Sequence, residues 1–247
     1  MTDKPENPTL GRRDFLKVVG VAGAAAALPI AAEAQSTTNT MTMPAPAPAA
    51  APADAAPGGW VFFNGDEVTL VTAIVDTLIP SDATGPGGVE AGVVTYIDRQ
   101  LGGAYGQGAR LYLAGPFADG TPSQGYQLPY NPGDLIHLGL LDMQAYSQKS
   151  KGKTFDQLAA ADRNAVLQDL DGSKASFPTV PEKVFFDHVF NLVQEGYFGD
   201  NVYGGNKNKA VWKMIGFPGV AGMYTQLISQ YRNKVYTTDP QSIADFS

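Results

Sequence analysis

An all-α domain with long glycine- and proline-rich loops is the fold class this sequence predicts, on three observations. Apolar residues recur at three- and four-residue intervals along most of the chain after Trp60, cap and stop residues flank those stretches, and no window alternates with period two over more than a few residues. The first two call for helices and the third leaves no strand to pair.

Each helix has its own warrant. Asn64 or Asp66 offers a cap, and Val68, Val71, Ile74, Val75 and Leu78 then share one face until Pro80 stops the helix. Val93, Ile97 and Leu101 mark a second helix, ended by Gly102-Gly103. Asn131-Pro132-x-Asp134 is a cap followed by a first-position proline, opening a helix through Leu135, Leu138, Leu141 and Met143. A shorter helix carries Leu158, Val166, Leu167 and Leu170 up to Gly172. From Pro181 to Phe198 the run of Val184, Phe185, Phe186, Val189, Phe190, Leu192 and Val193 is apolar nearly all round, which predicts a central, buried helix. A last helical stretch follows Pro218 through Tyr224, Leu227, Ile228 and Tyr231. The connections are loops at 81–88, 118–133 and 199–209, and the glycines of the first are expected to turn at Gly88 into the second helix, with Glu90 in its first turn.

Ahead of this domain the chain has a different character. Gly11-Arg12-Arg13-Asp14-Phe15-Leu16-Lys17 sets two arginines before an aromatic-leucine pair and a lysine, and an apolar run follows from Val18 to Ala32. That run is short, alanine-rich and interrupted by Gly20, Gly23 and Pro29, whereas a spanning helix needs about 20 strongly apolar residues. The double arginine with Phe15, Leu16 and Lys17 reads as a twin-arginine export signal, which serves a translocon for folded proteins. Ala32-Glu33-Ala34 reads as a small-x-small peptidase site, with cleavage expected between Ala34 and Gln35 and an uncleaved signal-anchor as the alternative. The following stretch is rich in proline and alanine, holds Asp54 as its sole charge and has no aromatic residue before Trp60, so it is expected to be a disordered tether. The predicted organisation is a signal peptide at 1–34, a linker at 35–59 and a helical domain at 60–247.

Composition excludes several kinds of chemistry. The net charge is −7, and it stays there after cleavage, because Lys4, Arg12, Arg13 and Lys17 leave together with Asp3, Glu6, Asp14 and Glu33. So acidic a chain makes no electrostatic nucleic-acid binder. With no cysteine, it forms no disulfide, thiolate zinc site, iron-sulfur cluster or covalently attached c-type haem. The cluster Gly85-Pro86-Gly87-Gly88 lacks both the spacing and the preceding strand of a dinucleotide loop. His137 and His188 stand on separate helices as structural or surface residues. Asp76, Asp82, Glu90 and Asp98 are the acids from which a glycosidase pair would have to be drawn, and nothing local fixes two of them at the required separation. The chain is expected to carry no catalytic residue, cofactor or metal of its own.

Aromatic residues crowd among glycines near the C-terminal third, in Glu195-Gly196-Tyr197-Phe198-Gly199-Asp200-Asn201-Val202-Tyr203-Gly204-Gly205-Asn206 and Trp212-Lys213-Met214-Ile215-Gly216-Phe217-Pro218-Gly219. These rings either cover the core beneath a long loop or face outward as interface anchors. The expected partner surface consists of Tyr197, Phe198, Tyr203, Trp212 and Phe217, with Trp212 in the domain's own core as the competing placement.

Those two runs, together with Asp76-x-Leu78-Ile79-Pro80-x-Asp82-x-x-Gly85-Pro86-Gly87-x-x-Glu90-Ala91-Gly92-Val93, resemble the gluconate 2-dehydrogenase small-subunit (subunit 3, gamma chain) family from about Phe62 to Gly219. The resemblance implies one subunit of a periplasmic dehydrogenase complex, held at the inner membrane through that complex. Its partners would be an FAD-containing GMC-type large subunit that oxidises a sugar acid or polyol, and a multihaem cytochrome c subunit that passes electrons on. FAD and c-type haem would sit on those partners. The small subunit would bind the flavoprotein and supply the signal read by the twin-arginine translocon. The rival expectation from another class is a stand-alone exported carbohydrate-binding module or carbohydrate-active enzyme, with the aromatic loops as a sugar platform.

Overall fold

The computed structural model describes residues 59–118, 120–220 and 224–246, so the export signal, the Ala34-Gln35 site and the linker up to residue 58 lie outside the described residues. The described chain is all-α. Seven helices are joined by loops and short 3-10 turns, and the one β-type contact is an isolated parallel bridge between Gly219 and Gln241.

Helix α1 (Gly65–Leu78) begins with a reciprocal cap, because the Asn64 side chain accepts from the Asp66 and Glu67 amides while Glu67 accepts from the Asn64 amide. Its predicted apolar face buries Val71, Ile74 and Val75. Helix α2 (Val93–Gly102) starts later than the sequence suggests. Residues 88–92 form turns, Gly92 takes a left-handed conformation at φ 80°, and no acid occupies the first turn of the helix. Glu90 closes the preceding loop instead, accepting from Ser81 Oγ at 3.0 Å and the Gly87 amide at 3.2 Å. Two close donors, a hydroxyl and an amide, outweigh a weak dipole attraction.

Helix α3 (Pro132–Lys151) has the expected Asn131 cap and first-position proline, but it runs eight residues past Met143 to a left-handed Gly152 at φ 74°. Helix α4 (Ala160–Asp171) is preceded by a separate 3-10 turn at Phe155–Gln157, so Leu158 lies outside the helix, while Phe155 is fully buried. Helix α5 (Glu182–Phe198) packs against α2, α3 and α4 and is the centre of the domain. Phe185 fills the contact with α3, where a Cβ on Gly139 would overlap its ring, so the missing side chain sets how closely the two helices approach. The helix is not buried on every side, since Phe190 and Phe198 are exposed.

Buried carboxylates fasten segments that have no helical partners for their amides. Asp98 on α2 is 2 % exposed and accepts from the amides of Val61, Phe62 and Phe63 at 2.9–3.0 Å, pinning the chain that leads into α1. Asp142 on α3 accepts from the Thr179 amide and hydroxyl and the Val180 amide, pinning the approach to α5. Each converts orphan amides into satisfied ones inside the fold.

Candidate partner interface

The aromatic-glycine segment begins where α5 ends, and one residue governs its path. Asn206 is fully buried in a left-handed conformation, its Nδ2 donating to the Gly199 carbonyl at 2.9 Å and its Oδ1 accepting from the Val211 amide at 3.0 Å. That side chain joins the C-terminal end of α5 to the N-terminal end of α6 (Ala210–Ile215), satisfying groups that helix ends leave open. Asparagine is among the few residues that take this conformation at low cost. Gly205 lies so close to the Gly196 carbonyl that a Cβ there would overlap it, and the Lys207 amide donates to Ala91, tying the loop to the turn before α2.

The five predicted rings separate into two groups. Trp212 is 4 % exposed, and its indole N–H donates to the Phe198 carbonyl at 2.7 Å, so it plugs the same helix end that Asn206 caps. Tyr197 is also buried, its hydroxyl donating to the Pro86 carbonyl at 2.8 Å, and burial raises its pKa. These two rings are occupied within the chain and present no face to a partner. Phe198, Tyr203 and Phe217 are each 43–50 % exposed. Phe217 packs edge-on to Trp212 at 5.1 Å and Phe198 edge-on to Tyr197 at 5.0 Å, so buried rings hold exposed ones in place. The short helix α6, unpredicted from the sequence, adds Ile215 at 52 %.

The C-terminal chain clasps this segment. After α7 (Thr225–Tyr231), Ser242 Oγ and the Ile243 amide donate to Asp200, which is 8 % exposed, at 2.6 and 2.9 Å. Lys209 pairs with Asp245 at 2.7 Å, holding that carboxyl below its ordinary pKa, and the Gly219–Gln241 bridge makes a third tie. Sequence reasoning missed Asp200, Asn206 and Lys209. An asparagine directly after Gly204-Gly205 was the available signal for a left-handed position.

The other candidates are dispersed. Asp76 and Glu90 line a shallow groove of about 390 Å³ with Thr69, Ser81, Asp156 and Arg163, where Arg163 approaches Asp76 at 3.9 Å and Glu90 is engaged as above. Asp98 is spent on backbone amides, and Asp82 is held below its ordinary pKa first by the Thr84 amide, which suits an anion rather than a general acid. His137 bonds Glu67 at 2.6 Å and stacks on Phe62, whereas His188 bonds the Val184 carbonyl and meets the Tyr126 ring edge-on. Among the described residues no group of three or more His, Asp or Glu is placed to hold a metal ion.

Of the large apolar side chains exposed among the described residues, eleven of twenty lie between Phe198 and Phe246, which makes this last quarter of the described residues the candidate surface. A family model described as gluconate 2-dehydrogenase subunit 3 matches residues 65–219. A model of the twin-arginine translocation pathway signal sequence matches residues 9–29, around Arg12, Arg13, Phe15, Leu16 and Lys17. No curated protein and no solved structure matches the chain.

Proposed function

The chain belongs to the gluconate 2-dehydrogenase subunit 3 family, and on that premise we propose that it is the non-catalytic small subunit of an FAD-dependent sugar-acid or polyol dehydrogenase. Its export across the cytoplasmic membrane follows from the twin-arginine signal. In the proposed role it binds a GMC-type flavoprotein before export and carries it through the translocon on Arg12 and Arg13. FAD then belongs to the flavoprotein and c-type haem to a multihaem cytochrome subunit that holds the complex at the inner membrane.

The observation that carries this reading is the presence of a dehydrogenase-subunit domain and a folded-protein export signal in one chain. The exposed rings Phe198, Tyr203 and Phe217 supply the aromatic anchors such a contact uses. Co-expression with a GMC-type flavoprotein from the same genome tests the role. Replacing Arg12 and Arg13 by lysine should leave both proteins in the cytoplasm, and flavoprotein exported at an undiminished level without this chain would end the proposal. Phe217→Ala or Tyr203→Ala should lower complex yield about tenfold or more while the subunit loses no more than about 1 kcal/mol of stability. Unchanged yield would move the interface elsewhere.

A further inference from the structure

Charge is segregated along this acidic chain. Between Asp200 and Asp239 there is no Asp or Glu, yet there are five basic residues, Lys207, Lys209, Lys213, Arg232 and Lys234. Lys209 is paired with Asp245, and the other four are exposed. Two of those four flank the most protruding apolar side chains of the segment. Tyr224 and Ile228 stand four residues apart, on one side of α7, and Arg232 follows at the same interval. Ile228 is 63 % exposed and Val235 is 87 % exposed. The turn that carries Arg232, Lys234 and Val235 has a fixed shape. Asn233 is left-handed at φ 59°, the Lys234 amide donates to Tyr231 at 2.9 Å, and the Tyr231 and Tyr236 rings meet edge-on at 4.8 Å.

We infer that residues 224–236 form a docking surface for an anionic lipid headgroup layer, with Ile228, Tyr224 and Val235 dipping into the interface and Arg232 and Lys234 contacting the headgroups. Three observations select lipid over an acidic protein. The apolar side chains are single and protruding, as insertion into a soft interface requires, and sit on a short helix and the residues that flank it, with an aromatic residue beside the cations. Free lysines are depleted at protein interfaces and typical of membrane surfaces. The segment also lies beyond the family match, which stops at residue 219, so the role shared by the family does not account for it. The rest of the chain carries net negative charge, which favours this approach to an anionic surface over the others. Export brings the chain to a membrane, and no helix among the described residues is long and apolar enough to cross one. The contact is therefore peripheral. It does not depend on the flavoprotein reading.

Sedimentation of the exported, purified chain with vesicles tests this. Vesicles of phosphatidylcholine with one third phosphatidylglycerol should capture the chain, pure phosphatidylcholine vesicles should not, and 0.5 M NaCl should release it. R232Q/K234Q should lower capture about 25-fold, at about fivefold per cation. I228S should lower it without changing the salt dependence. K149Q/K153Q removes the same charge from exposed positions on α3 and just after it and should leave capture unchanged. Equal capture of wild type and R232Q/K234Q, or no capture of wild type by anionic vesicles, overturns the inference. Loss of flavoprotein association in R232Q/K234Q with no lipid binding by the wild type also overturns it, in favour of a protein occupant. If R232Q/K234Q misfolds, the salt response and I228S decide alone.

Discussion

The helical body from α1 to α5 and the C-terminal quarter after Phe198 solve the same problem in opposite ways. In the body, most large apolar side chains of the helices face inward: Ile74, Leu101, Leu135, Phe155 and Phe185 are all buried, and Asp98 and Asp142 satisfy the amides of the segments that cross between helices. After Phe198 the helices have six and seven residues, too short to stand without tertiary support, and shape comes from side-chain ties. Asn206, Trp212 and Asp200 are spent inside while Phe198, Tyr203, Ile215, Phe217 and Ile228 stay outside. The body is folded for itself, and the C-terminal quarter is braced to display apolar surface. Apolar side chains held outward on a scaffold of fixed bonds are the surface on which the proposed contact rests.

The largest expected effect tests where the boundary between the two regions runs. Phe185→Ala removes a ring from the centre of the body and should cost about 3–5 kcal/mol of folding stability. Trp212→Ala lies in the C-terminal quarter but opens a cavity and orphans the Phe198 carbonyl, so it should cost stability of the same order. Denaturant unfolding of both variants gives the comparison. A Trp212→Ala variant as stable as the wild type would place that ring on the display side of the boundary.

A smaller effect separates the two kinds of buried carboxylate. Asp142→Ala leaves the Thr179 and Val180 amides without partners inside the body, and should cost about 2–3 kcal/mol. Asp200→Ala releases the buried Ser242 hydroxyl and the Ile243 amide, and the exposed residues around them can open so that water replaces the lost acceptor. Hydrogen exchange of residues 239–246 should then accelerate while the melting temperature changes little. Equal losses of global stability would mean that the C-terminal clasp is part of the body.

How much of this was legible in the sequence differs between the regions for the same reason. Val68 to Leu78 and Val184 to Val193 repeat with helical period because a buried face requires it, so those helices were readable. The extension of α3 from Gln144 to Lys151 was not, since it is polar apart from Ala145 and Tyr146. It is held by Gln144 accepting from the Phe155 amide and Tyr146 donating to Asp169. Helix α6 spans less than two turns and has no periodicity to read. Residue types named the five rings of the C-terminal quarter but could not sort them, because the sorting depends on which ring reaches the open carbonyls at Pro86 and Phe198. The carboxylates Asp98, Asp142 and Asp200 likewise depend on which distant segment passes beside them. Local sequence records a face but not the neighbour of a polar side chain.

The smallest effect concerns pH, and it belongs to the body alone, since both histidines lie before Phe198. Burial lowers the pKa of His188 from its ordinary 6.5, although the Val184 carbonyl, Asp187 and Glu195 all pull the other way. The Tyr126 ring that packs against it gives no charge to offset the burial, its own pKa being pushed up to about 12. Above pH 6.5 the imidazole is neutral folded and unfolded, and contributes nothing to the pH dependence. As pH falls through 6.5 the unfolded chain takes up a proton that the folded chain refuses, so stability declines until the lowered folded-state pKa is passed. Stability measured from pH 7.5 to pH 5 should therefore slope downward, and His188→Gln should flatten that slope without altering the neutral-pH value by more than a small amount. Hydrogen exchange at pH 5.5 should show the loosening in α5 rather than in residues 239–246. A slope that survives His188→Gln, or loosening that starts in the clasp, would assign the pH response to other groups and remove this distinction between the two regions.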